Sequence, residues 1–199
     1  MHRRNILLGA GALIFMPALV PQAWAANAAE DFVSSNIQAG FDILNDTNAG
    51  MTERRDRFAS FLLGLTDARR VAVFVLGRYA NGAAQDDLDA YVAAYQDYAL
   101  SNYQTYFQLY AGQTLRVVSS RERAPGDFIV TTTMVGQPSI AMEIDFRVRT
   151  DGAKPLLVDV AVAGVWLSLA QRDQIQAVLA RNNGDIKALI AHLRASSRG

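Results

Sequence analysis

The chain of 199 residues contains no cysteine. A disulfide-stapled scaffold and a thiolate zinc centre are therefore excluded, and a packed core must hold the fold together unaided. Histidine is nearly absent. His2 lies in a segment read below as a removable leader. His192 lies near the C-terminus in the helical pattern Ile186-x-x-Leu189-Ile190-x-x-Leu193, between its apolar positions. A Ser-His-Asp relay or a multi-histidine metal site would have to be built around this one tail residue, so neither is expected. Neither sign of charge is in excess, with 19 basic and 19 acidic residues. Such a chain has no strong field to gather nucleic acid or an anionic membrane. Internal repeats, low-complexity tracts and Pro/Ser-rich linkers are missing as well. The one long apolar run, Ile6 to Val20, is 15 residues, short of the roughly 20 that span a bilayer as a helix.

What is present starts with that run. Arg3 and Arg4 precede it, Pro21 breaks it, and Ala23-Trp24-Ala25 supplies the small-x-small pattern of a signal-peptidase site. This is the layout of a cleavable export signal, residues 1–25, with a single mature domain at 26–199. No cysteine follows the run, so a lipoprotein anchor is excluded. The Arg3-Arg4 pair fits a twin-arginine signal, and the rest fits general secretion equally. Removing 25 of 199 residues leaves 174, with 17 basic and 19 acidic side chains. That length suits one domain with a sizeable core.

The first half of the mature chain has the periodicity of helices. Phe32, Ile37, Phe41 and Leu44 mark one that ends before Asn48-Ala49-Gly50. Thr52 is a candidate cap for the next, whose apolar positions are Phe58, Phe61, Leu62 and Leu65. Thr66 or Asp67 opens a third with Val71, Phe74 and Val75, stopping near Gly77. The longest is expected from about Ala84 to Tyr110, striped by Leu88, Val92, Tyr95, Ala99, Tyr103, Tyr106 and Tyr110. The period then changes to two. Strands are expected at Leu115–Ser119, Phe128–Val135, Ile140–Arg149 and Leu156–Ala163. In the third, Ile140, Met142, Ile144, Phe146 and Val148 face one way, and Ala141, Glu143, Asp145, Arg147 and Arg149 the other. In the fourth, Leu156, Val158, Val160 and Val162 share a side. Helices near Ser168–Arg181 and Asp185–Ala195 close the chain. The class is α+β: N-terminal helices, a four-stranded antiparallel curved sheet, two C-terminal helices, and an apolar cavity between sheet and helices.

Several pieces, taken in order, resemble the MlaC or toluene-tolerance family over about Asp31 to Arg194. They are Arg57-Phe58, Asp67 to Arg70, Val75-Leu76-Gly77-Arg78, the tyrosines with Gly112, Ile144-Asp145-Phe146-Arg147, Val158 to Val165, Arg172, and Leu189-Ile190-x-x-Leu193. The resemblance implies a periplasmic, non-enzymatic carrier of phospholipid between the outer membrane and an inner-membrane ABC transporter. It implies an outer-membrane lipoprotein complex as a further partner, and it requires neither a cofactor nor nucleic acid. Three departures stand out: Lys154-Pro155-Leu156 where a Trp is usual, Trp166 where Ser follows the Gly-Val, and Gln171 before Arg172. They leave the ligand open between phospholipid and the hopanoids associated with one branch of the family.

A carrier needs a dry cavity and a polar mouth, because acyl CH₂ groups left in water cost about 0.8 kcal/mol each. Candidate wall residues are Phe58, Phe61, Leu62, Val71, Phe74 and Val75 from the helices, with Met142, Ile144, Phe146, Val158, Val160 and Val162 from the sheet. Each fits ordinary core equally, since periodicity does not separate a filled core from an empty one. Candidate rim residues are Arg57, Arg69, Arg70 and Arg78, whose guanidinium forks suit phosphate, and Tyr103. The interleaved acids Glu53, Asp56 and Asp67 fit ion pairing instead. Two competing readings remain. One is an enzyme using Asp145 and Asp159 across adjoining strands. The other is an interaction module with a filled core.

Overall fold

The computed structural model describes residues 22–109, 114–136 and 142–197, with side chains at 28–102 and throughout the other two segments. The expected leader falls almost wholly outside them, as do Ile140, Tyr110, Gly112 and the side chain of Tyr103.

The described residues form six helices and one antiparallel sheet. They are α1 (Gln22–Leu44), α2 (Met51–Leu65), α3 (Ala68–Leu76), α4 (Gln85–Leu109), α5 (Leu167–Arg181) and α6 (Ile186–Ser196), with a 3-10 turn at Gly77–Ala80. The strands are β1 (Thr114–Ala124), β2 (Asp127–Val135), β3 (Glu143–Arg149), β4 (Leu156–Val162) and β5 (Val165–Trp166), hydrogen-bonded in that order.

Local signals set most boundaries. The Asp67 carboxylate accepts from the Arg70 amide and caps α3, and Asp185 accepts from the Lys187 and Ala188 amides and caps α6. Gly77 ends α3 at φ +62, a backbone state open to glycine without strain. Three expectations need correction. Thr52 is not a cap: Gly50 occupies that position and Thr52 lies inside α2. The sheet has a fifth strand, made by a tight turn in which Ala163 and Gly164 both take positive φ. And β4 does not keep one alternation. Arg147 faces Asp159 but Val148 faces Leu157, so Val158 is the extra residue of a bulge, and Leu157, not Leu156, joins the inner face.

The apolar interior is divided. One core lies among α3, α4, α5 and α6, with Ala72, Val75, Leu76, Tyr91, Ile175, Leu179, Leu189 and Leu193 sealed from solvent. Its buried Tyr91 hydroxyl donates to the Ala72 carbonyl at 3.0 Å, which satisfies the one polar group of that side chain. The other core lies under α1, where Ala29 and Val33 cover Phe128, Val130 and Val148 of the sheet. The short α2 joins neither. It packs on α1 and against α4, its capping residue Thr66 pairs with Leu157 of β4, and none of its residues is buried.

Candidate functional site

Register decides which side chains meet. Directly opposed residues of an antiparallel ladder share a face. Phe128 with Val148, Val130 with Phe146, and Thr132 with Ile144 therefore stand together on the inner face, and β4 adds Leu157, Val160 and Val162. This face is sealed at one end and accessible at the other. Phe128, Val130 and Val148 are fully buried, whereas Ile144, Val160, Val162 and Met142 are half-buried. Helix α2 carries Phe58, Phe61, Leu62 and Leu65, all half-buried. The rings of Phe58 and Phe61 are tilted at 34° with centroids 6.1 Å apart, and each comes within 3.4 Å of where a side chain at Gly40 would begin. Glycine in α1 thus lets α2 approach α1 closely. The open half of the sheet face and the apolar stripe of α2 are thus two apolar surfaces that neither core seals.

The twelve wall candidates separate accordingly. Val75 is fully buried in the helical core, Val71 packs against that core, and Phe146 packs against the sheet core. Phe74 is 44% exposed, with the Arg172 guanidinium 5.0 Å above its ring, which places it on the outside of the bundle. Phe58, Phe61, Leu62, Met142, Ile144, Val158, Val160 and Val162 are half-buried and belong to neither core.

An open groove of about 880 Å³ runs along the seam of α1 and α2, lined by Ile43, Thr52, Glu53, Asp56, Arg57, Ser60 and Phe61. It is polar along its rim and reaches the aromatic pair through Phe61. Of the rim candidates Arg57 lies here, its Nη1 2.6 Å from Asp46 Oδ2. That partner holds the Asp46 carboxyl below its ordinary range. Arg69 is taken up by Asp89 at 2.5 Å, on the outside of α4. Arg70 is exposed on α3. Arg78 hydrogen-bonds and stacks on Tyr79 beside a second groove, of about 470 Å³, bordered by Gly82, Gly184 and Ile186. The four arginines do not converge. Arg54, which no sequence pattern singled out, fixes the seam by donating to the Leu44 carbonyl at 2.8 Å, beyond the reach of any cap inside α1.

The outer face of the sheet carries the carboxylates. Asp145 and Asp159 do lie on adjoining strands, but each is committed to a structural bond. Thr131 Oγ1 donates to Asp145 at 2.6 Å. Asp159 accepts from the Val160 and Ser168 amides and from the Ser168 hydroxyl, tying β4 to the start of α5. Arg147, between them, is turned to Asp127, with Nε to Oδ1 at 2.9 Å and Nη2 to Oδ2 at 2.7 Å. This is a cross-strand brace with no free acid–base pair. Among the described residues no group of His, Asp and Glu is arranged to hold a metal ion. No described helix is long and apolar enough to cross a membrane.

Comparison with known proteins adds to this geometry. The sequence profile described as MlaC protein matches residues 34–195. Among solved structures, the phospholipid-binding protein from Ralstonia solanacearum, determined in complex with a phospholipid, superposes with a TM-score of 0.71. The match covers 87% of this chain and 97% of that one, at 17% identity. At that identity the likeness establishes the fold. No curated protein matches the chain in sequence.

Proposed function

Because the chain belongs to the MlaC family, we propose that it is a lipid carrier, holding phospholipid acyl chains between α2 and the β3–β4 half of the sheet. The observation that carries this reading is the unsealed inner face. Ile144, Val160 and Val162 remain half-buried, and the apolar stripe of α2 has no buried member. Leaving so much apolar surface unsealed on both walls is costly without a ligand. The groove at the α1–α2 seam offers hydroxyls and charge at its rim and an aromatic floor, which suits a head group left in contact with water. The commitment of Asp145 and Asp159 to structural bonds supports a binding role over an enzymatic one.

The carrier works in the periplasm, passing lipid between an outer-membrane lipoprotein complex and an inner-membrane ABC transporter. Residues 1–25 act as its export signal. Cleavage after Ala25 spares Ala29 and Val33, the α1 residues that seal the sheet core. The intact mass of protein recovered from the periplasm is therefore expected to correspond to residues 26–199. A full-length mass would refute the leader.

Solvent extraction of the native protein followed by mass spectrometry tests the carrier reading, with stoichiometric phospholipid the expected result. A hopanoid in its place would reassign the ligand within the family. Protein recovered without lipid, and unable to take any from vesicles, would end the proposal.

A further inference from the structure

One row of the inner face runs the full width of the sheet. Val117 is opposed by Thr132, Thr132 by Ile144, Ile144 by Val162, and Val162 by Val165. The five side chains share a face and stand in line, one strand apart. Their exposure rises along the row beyond Thr132. Thr132 is sealed, its hydroxyl donating to the Ile144 carbonyl. Ile144 and Val162 are half-buried, and Val165 is 58% exposed. No strand lies beyond β5 in the described sheet. The Ala163–Gly164 turn, with φ of 50 and 81, fixes Val165 opposite Val162.

A single exposed valine is ordinary. What sets Val165 apart is that it continues, in register, the row of Ile144 and Val162 on the unsealed inner face. Val118 provides the contrast. It is also 58% exposed, but it sits where β1 slips register between Val117 and Ser119, at the opposite edge.

We propose that the β5 edge is the portal through which an acyl chain enters and leaves, with Val165 at its threshold. The proposal rests on the carrier reading above. Its physical basis is continuity. A chain sliding along Val165, Val162 and Ile144 exchanges one apolar contact for the next and is never wholly returned to water.

The absence of cysteine makes the test clean. Val165→Cys and Val118→Cys each introduce a single thiol at a site of equal exposure, which is then blocked with a polyethylene-glycol maleimide. Uptake of pyrene-labelled phosphatidylcholine from phosphatidylcholine vesicles is followed by fluorescence. Blocking position 165 is expected to slow uptake several-fold without lowering the final amount bound. Each blocked protein is compared with its own unblocked form, and Val118→Cys, blocked or unblocked, is expected to load at the wild-type rate. Equal rates for the two blocked proteins would overturn the portal and leave the carrier standing. A reduced final amount at an unchanged rate would make Val165 part of the binding wall and would also overturn it. If none of the unblocked proteins takes up lipid, the carrier reading falls and the portal with it.

Discussion

Asp127 is nearly buried at the start of β2, and its partner Arg147 reaches it from the neighbouring strand by two parallel hydrogen bonds. Burial raises the cost of the carboxylate, but the guanidinium outweighs it and holds the Asp127 carboxyl below its ordinary value of 3.8. The folded value is thus lower than the unfolded one. The stabilisation is complete above the unfolded value and is lost as pH falls through the folded one. Asp127→Asn is expected to cost about 1.5–3 kcal/mol at neutral pH, the range for hydrogen bonds to a charged partner. The gap between wild type and variant should close in acid, below the ordinary carboxylate value. Urea unfolding at neutral and strongly acid pH measures both, and a gap independent of pH would remove the charge from the account. Gly77 is a second residue with a narrow role. A Cβ there would meet the Gln176 amide nitrogen at 2.8 Å and Arg172 at 3.0 Å, on a backbone already at φ +62. Gly77→Ala is expected to destabilise by more than about 1 kcal/mol, read from the same unfolding curves.

Helices α2 and α3 look alike in sequence and differ in their packing. Both carry apolar stripes, yet α3 buries Ala72, Val75 and Leu76 while α2 buries nothing. Leu76→Ala should therefore cost about 3–5 kcal/mol, as emptied core sites do, and Leu62→Ala about 1 kcal/mol or less. Lipid uptake should fall for Leu62→Ala and persist in whatever fraction of Leu76→Ala remains folded. Chemical denaturation with vesicle uptake separates the two. Helix positions were legible because caps and stops are local: Asp67, Gly77 and Asp185 act within one turn of their own residue. The third strand was legible because its alternation is long. The β5 strand was not, since two residues carry no period and pair only because the Ala163–Gly164 turn returns them to β4. The Val158 bulge was invisible for a similar reason, as it is a relation between β3 and β4. The rim arginines exposed a further limit. The partners of Arg57 and Arg69, Asp46 and Asp89, lie 11 and 20 residues away. No short-range spacing reveals them. Periodicity marks which side of an element turns inward, but not how far off the opposing wall stands, so Val75 and Ile144 looked equivalent until packing placed the first in a core and the second at an open face.

Two cores with a loosely held helix between them define how the whole molecule should respond to ligand. The helical core and the sheet core each seal themselves without α2, so α2 can open at less cost than either core. Amides of α2 are expected to exchange hydrogen early in delipidated protein, ahead of those in α3, α6 and β2, because opening free energy follows local burial. A ligand that binds only the closed arrangement stabilises it in proportion to its occupancy. Loading with phospholipid should therefore slow exchange in α2 and along β4, and raise the melting temperature, while amides around Tyr91 and Leu189 change little. Exchange followed by mass spectrometry on matched loaded and delipidated samples gives each segment separately. Uniform protection across all segments would mean that the two cores open together and that α2 is no independent cover. Protection confined to the second groove, around Tyr79 and Gly184, would move the ligand away from the sheet altogether. Slower exchange in α2 together with residues 160–162 of β4, away from the Thr66–Leu157 bridge that ties the end of α2 to that strand, is the pattern that places acyl chains against both walls.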